Sequence, residues 1–160
     1  MTGLLLWATV AGATEIGTSR DFGLGIQLGG PSGLTGKVYL GDGRRNAIDF
    51  TVGGGYYGED LWWNAFWGQV AYHWNLETLD SGGGVTIPFR IGVGGFVTTG
   101  YYSWAGGTNG AILGARVPFG VDFDFEDAPF QLYIEAAFDL TVLPPLSPGV
   151  DGGIGGRYYF

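Results

Sequence analysis

The chain has 160 residues, 46% of them apolar and 16% aromatic, with 33 Gly and a net charge of −8. The apolar content excludes a disordered chain, the absence of Cys excludes disulfides and thiolate metal sites, and the acidic balance argues against nucleic acid as a partner. A chain of this length supports one domain.

In chain order, the first segment is MTGLLLWATVAGA, an apolar run ending in Ala11-Gly12-Ala13. It fits the apolar core and small-residue cleavage site of a secretory signal peptide, here without the usual basic start. Residues 1–13 are therefore expected to be the remnant of a leader, and 14–160 a single domain. No other stretch approaches the ~20 apolar residues of a membrane-crossing helix.

Eight segments with a period of two follow. The first, about Asp21–Gly29, sets Phe22, Leu24, Ile26 and Leu28 against Gly23, Gly25 and Gln27. A Gly-Pro turn leads to Leu34–Leu40, with Lys37 and Tyr39 on its polar face, and then to Ala47–Gly55, with Asp49 there. An aromatic loop, Tyr56–Trp63, precedes the fourth segment, Phe66–Leu76. That segment carries His73 on the polar face, but also Trp67, which breaks the pattern. Glu77–Gly84 reads as a loop. Val85–Val97 carries Arg90, and Thr98–Gly110 reads as the longest loop. Ala111–Phe125 and Phe130–Val142 are two long alternating arms around Glu126-Asp127-Ala128-Pro129. Their polar rows hold Arg116, Asp122 and Asp124 on one arm and Glu135 and Asp139 on the other. After a loop at Pro144–Gly149, the last segment, Val150–Phe160, carries Asp151 and Arg157.

No segment has the periodicity of an amphipathic helix. The expected fold is all-β, an eight-stranded antiparallel up-and-down barrel, closed so that no edge is left free. Three features favour a transmembrane barrel with the apolar face outward over a soluble one. The polar face is rich in Gly, which suits a narrow lumen. Its charges are of mixed sign: Lys37, Arg90, Arg116 and Arg157 meet Asp49, Asp122, Asp124, Glu135, Asp139 and Asp151, with His73 among them. Aromatics gather near strand ends, at Trp62, Trp63, Tyr72, Trp74, Phe125, Phe130, Tyr158 and Phe160, as interfacial girdles require.

On these residues the stretch Asp21–Phe160 resembles the OmpA/OmpX-like class of small eight-stranded bacterial outer-membrane barrels. The most specific piece is the ending GIGGRYYF. A last strand closing on Phe160 is similar to the C-terminal signal read by the outer-membrane assembly machinery. The phrases GLGIQLGGPSGLTGKVYL and ILGARVPFGVDFDFEDAPFQLYIE look like those of an uncharacterised family of such barrels. The resemblance implies a bacterial outer-membrane location, the lipid bilayer and assembly machinery as partners, and a monomer. It carries no chemistry over.

The four-residue turn fixes a register in which Phe125 opposes Phe130 and Arg116 opposes Asp139. If Val142 opposes Val150, Glu135 faces Arg157. A charge in a narrow lumen needs a partner, so these residues are expected to form a network that plugs it; the bland alternative is acids and bases solvated at the barrel mouths. Asp122 and Asp124 share one face and could hold a cation, although solvated rim acids are the simpler reading. No cofactor or metal is expected. His73 has no Ser or acid near it in sequence, so a lipid-modifying enzyme is a minor reading. The expected role is a structural or barrier barrel, or a very small gated pore. The alternatives are an adhesin or ligand-binding barrel using loops 56–63 and 98–110, and a soluble lipocalin-like barrel with an apolar ligand inside.

Overall fold

A computed structural model describes residues 20–41, 43–54, 66–102, 108–143 and 146–160. The leader-like residues 1–13, the loop at 56–63 with Trp62 and Trp63, and the centre of the loop at 98–110 lie outside them. The described residues form eight antiparallel strands: β1 Phe22–Gly29, β2 Ser32–Leu40, β3 Asn46–Gly54, β4 Phe66–Gly82, β5 Val85–Tyr102, β6 Thr108–Phe125, β7 Phe130–Leu143 and β8 Ser147–Tyr159. Each pairs with the next, and β8 pairs with β1, so the sheet closes into an up-and-down barrel. The two ends differ. Gly83-Gly84, residues 126–129 and both ends of the described chain lie at one, here the turn end. The tight Gly30-Pro31 turn lies at the other, the loop end, together with the strand ends Gly54, Phe66, Tyr102, Thr108, Leu143 and Ser147.

Two loops expected from sequence are strand. Residues Glu77–Gly82 extend β4, and Thr98–Tyr102 and Thr108–Gly110 extend the β5–β6 hairpin. The β4 extension was hidden by irregularities between Asn75 and Glu77 and between Thr78 and Asp80. Each adds residues to one strand only, which moves the alternation out of step. Leu76 and Leu79, three apart, thus both end up outward. Beyond Val97 the β5–β6 hairpin carries Thr, Gly, Tyr and Asn, so the hydrophobic contrast fades while the ladder continues as far as Tyr102–Thr108.

The β6–β7 register places Arg116 opposite Asp139, as the turn length requires. The β7–β8 register differs from expectation. Phe138 opposes Val150, and Glu135 opposes Gly153, not Arg157. The β7–β8 connection is shorter than the sequence suggested, because Ser147, Pro148 and Gly149 belong to β8 and pair with β7.

The barrel is turned inside out relative to a soluble fold. The outward rows are apolar on all eight strands, with Ile26 61%, Leu34 68% and Val150 73% exposed. The inward rows hold the charges and amides. Lys37, Arg90, Asp122 and Gln131 are fully buried. An interior this narrow must be filled by side chains. Glycines on the inward rows make the room. A Cβ on Gly114 would strike the ring of Phe96, one on Gly155 that of Tyr133, and one on Gly23 that of Tyr159.

Candidate functional site

The strand alternation delivers every charged residue expected in the lumen to its interior, and the structure arranges them in layers along the axis. At the turn end Tyr39 and Tyr159 stack at 5.7 Å, with Arg44 over the Tyr39 ring. Beneath them Gln131 joins four groups, one of them Arg157, whose Nη1 donates to the Gln131 Oε1 at 3.2 Å. Its Nε2 donates to Asp124 Oδ1 at 2.7 Å and to Tyr39 Oη at 3.1 Å, and its Oε1 accepts from Tyr159 Oη at 3.0 Å.

The central layer is ionic. Lys37 Nζ donates to Asp122 Oδ2, and Arg90 Nε donates to the other oxygen of Asp122 at 2.8 Å. Arg90 Nη1 reaches Glu135 Oε2 at 2.8 Å and Asp49 Oδ2 at 3.2 Å. Arg157 Nη2 donates to the same Asp49 oxygen at 3.0 Å and to Thr35 Oγ1 at 2.9 Å. Its guanidinium lies 4.0 Å over the ring of Tyr133, whose hydroxyl donates to Gln27 Oε1 at 2.8 Å. Lys37, Arg90 and Arg157 thus meet Asp49, Asp122 and Glu135, three cations against three anions. Nearer the loop end, Arg116 Nη2 donates to Asp151 Oδ1 at 2.9 Å and to Glu135 Oε1 at 3.3 Å, with Asp139 at 3.8 Å from its Nε.

Asp122 and Asp124 are therefore not solvated rim acids. Asp122 lies between two cations, and Asp124 is buried against Gln131. The acid that sequence could not find for His73 comes from the neighbouring strand: Asp49 Oδ2 lies 3.6 Å from its Nε2. Asp49, His73 and Glu135 also form a trio of metal-ligating type, with one ligand atom from each lying within 4.8 Å of the others. The positive charge in that trio is already a guanidinium. Arg90 Nη1 stands 3.2 Å from both His73 nitrogens and 2.8 Å from Glu135. A dication there would face Arg90, Arg157 and Lys37 at close range.

Above the ionic layers the lumen turns apolar. Trp67 and Phe96 stack at 4.8 Å with 10° between planes, and Ile112 completes a buried cluster with them. Trp67 Nε1 donates to Gln69 Oε1, so its polar atom is satisfied. This cluster was missed from sequence, although its signal was there. Trp67 and Ile112 are large apolar residues standing in otherwise polar rows. Gln27, Gln131 and Tyr133 also lie on the polar rows, but nothing in the sequence distinguishes a bridging amide from a solvated one. A cavity of about 10 Å3 remains among Gln27, Asp49, His73, Arg116, Glu135 and Arg157, about the size of one water molecule.

Outside, several of the described aromatics gather at the turn end, whereas Phe119 and Phe138 meet at 5.6 Å in the middle of the wall and Phe66 stands at the loop end. Tyr72 and Trp74 meet edge-on at 5.0 Å, Phe125 and Phe130 lie 6.1 Å apart, and Phe160 packs against Tyr158 and Phe22. No helix among the described residues is long and apolar enough to cross a membrane, which says nothing of crossing by strands. No family model, no curated protein and no solved structure matches this chain.

Proposed function

We propose that the chain is a monomeric bacterial outer-membrane β-barrel whose role is structural or barrier-forming, with the lumen closed by its own side chains. One observation carries this reading: the polarity of the barrel is inverted. Soluble proteins rarely expose an apolar patch above a few hundred Å2. Here outward apolar rows run around the whole circumference while Lys37, Arg90, Asp122 and Arg157 are buried inside. Hydrocarbon outside reverses that cost, and a closed barrel leaves no backbone group unpaired in lipid. The turn-end aromatics support the reading, since rings of this kind favour the membrane–water boundary.

A lumen filled by ion pairs favours a barrier over a pore, and it leaves no room for the apolar ligand of a lipocalin-like barrel. His73 is 1% exposed and faces Arg90, which places it out of a lipid substrate's reach and disfavours the enzyme reading. The test is refolding into detergent followed by electrophoresis with and without boiling. A mobility change on boiling is the expected outcome. A protein that stays soluble and monodisperse without detergent would overturn the membrane reading.

A further inference from the structure

The outer wall is not uniform. β8 presents Val150, Gly152, Ile154, Gly156 and Tyr158 outward, so two side chains in this row are replaced by hydrogen. At Gly155 and Gly156 the wall sinks. Ile26 and Leu28 of β1 rise on one side, and Leu132 and Ile134 of β7, with two phenylalanines of β6 beyond them, rise on the other. Together they bound an open groove of about 530 Å3.

We propose that this groove seats one acyl chain of a membrane lipid and holds it in place while its neighbours exchange. The proposal rests on the membrane reading above and adds a specific ligand class to it. Size and chemistry select the occupant. The volume lies in the range of small-ligand sites, about 300–1,000 Å3. A spanning helix, roughly 30 Å long and 10 Å wide, needs several times that space. An added peptide strand would need a free sheet edge, and β7, β8 and β1 are all paired on both sides. An acyl chain has no polar group to satisfy, and the groove offers it hydrocarbon walls and a glycine floor. No charged residue lines the groove, so chain length rather than headgroup charge governs the fit.

The test uses protein refolded in detergent with dioleoyl phosphatidylglycerol, washed in lipid-free detergent and weighed intact by native mass spectrometry. The wild type is expected to retain one lipid. Gly156→Leu places a side chain on the groove floor, beside Phe130 and Leu132, and is expected to lower retention about tenfold. Ile134→Trp fills the groove from the β7 side without touching the β1–β8 seam, and is expected to do the same if Gly156→Leu does not fold. Val117→Leu, on β6 outside the groove lining, is expected to retain the lipid. Equal retention by all four proteins, no retention by the wild type, or a mass corresponding to a second protein chain would each overturn the proposal. Gel mobility of the same samples with and without boiling reports on the barrel itself, so failure of the membrane reading is seen separately.

Discussion

At the residue scale, the organising group is Arg90. It is fully buried and holds Asp122, Glu135 and Asp49 at once. Removing one partner from a buried ion pair is costly because the other charges stay behind without compensation. Arg90→Met should therefore destabilise the barrel by about 3–5 kcal/mol, read from denaturant unfolding in micelles by Trp fluorescence. Replacing Asp122 by Asn in the same chain should recover part of that loss. Little change with Arg90→Met would mean that water reaches the network. The individual identities of these charges were legible in the sequence, because each stands at an alternate position in an otherwise apolar strand. Their partners were not. Asp49 serves both Arg90 and Arg157 across the lumen, and such a meeting depends on barrel diameter rather than on spacing along the chain.

At the element scale, register decides which charges meet. The β6–β7 register follows from a four-residue turn, and it places Arg116 by Asp139. The β7–β8 register rests on where a Pro-containing connection ends, which periodicity does not specify. Cysteines at positions 138 and 150, which oppose one another, should form a disulfide on oxidation. Cysteines at 142 and 150 should not. Intact-mass or gel analysis of the oxidised double variants reads the result, and the opposite pattern would restore the register expected from the loop length. The β4 irregularities teach the same lesson. Leu76 and Leu79 look like a break in a strand, but the backbone absorbs the slip and both face outward.

For the whole molecule, the question is which side of the wall meets which solvent. Val117 lies midway along β6 and faces outward. In a bilayer, Val117→Arg should cost about 2–4 kcal/mol, measured by unfolding from vesicles. A water-facing site would barely register the change. The stacked Trp67–Phe96 pair and the ion pairs below it close the axis in series, so planar-bilayer recordings should stay near baseline. Steady open-channel steps from the wild type would refute the closed lumen.

Alternation by itself determined that the chain forms β-strands with one apolar and one polar face and, wherever the strands run regularly, which residues each face carries. Side-chain direction in a strand is set locally, residue by residue, so the sequence contains it. The β7–β8 register, the Trp67–Phe96–Ile112 cluster and the sharing of Arg90 among three acids were decided only in the tertiary structure. These depend on where distant strands stand around a closed ring. No local pattern records the ring's curvature or the offset between its strands.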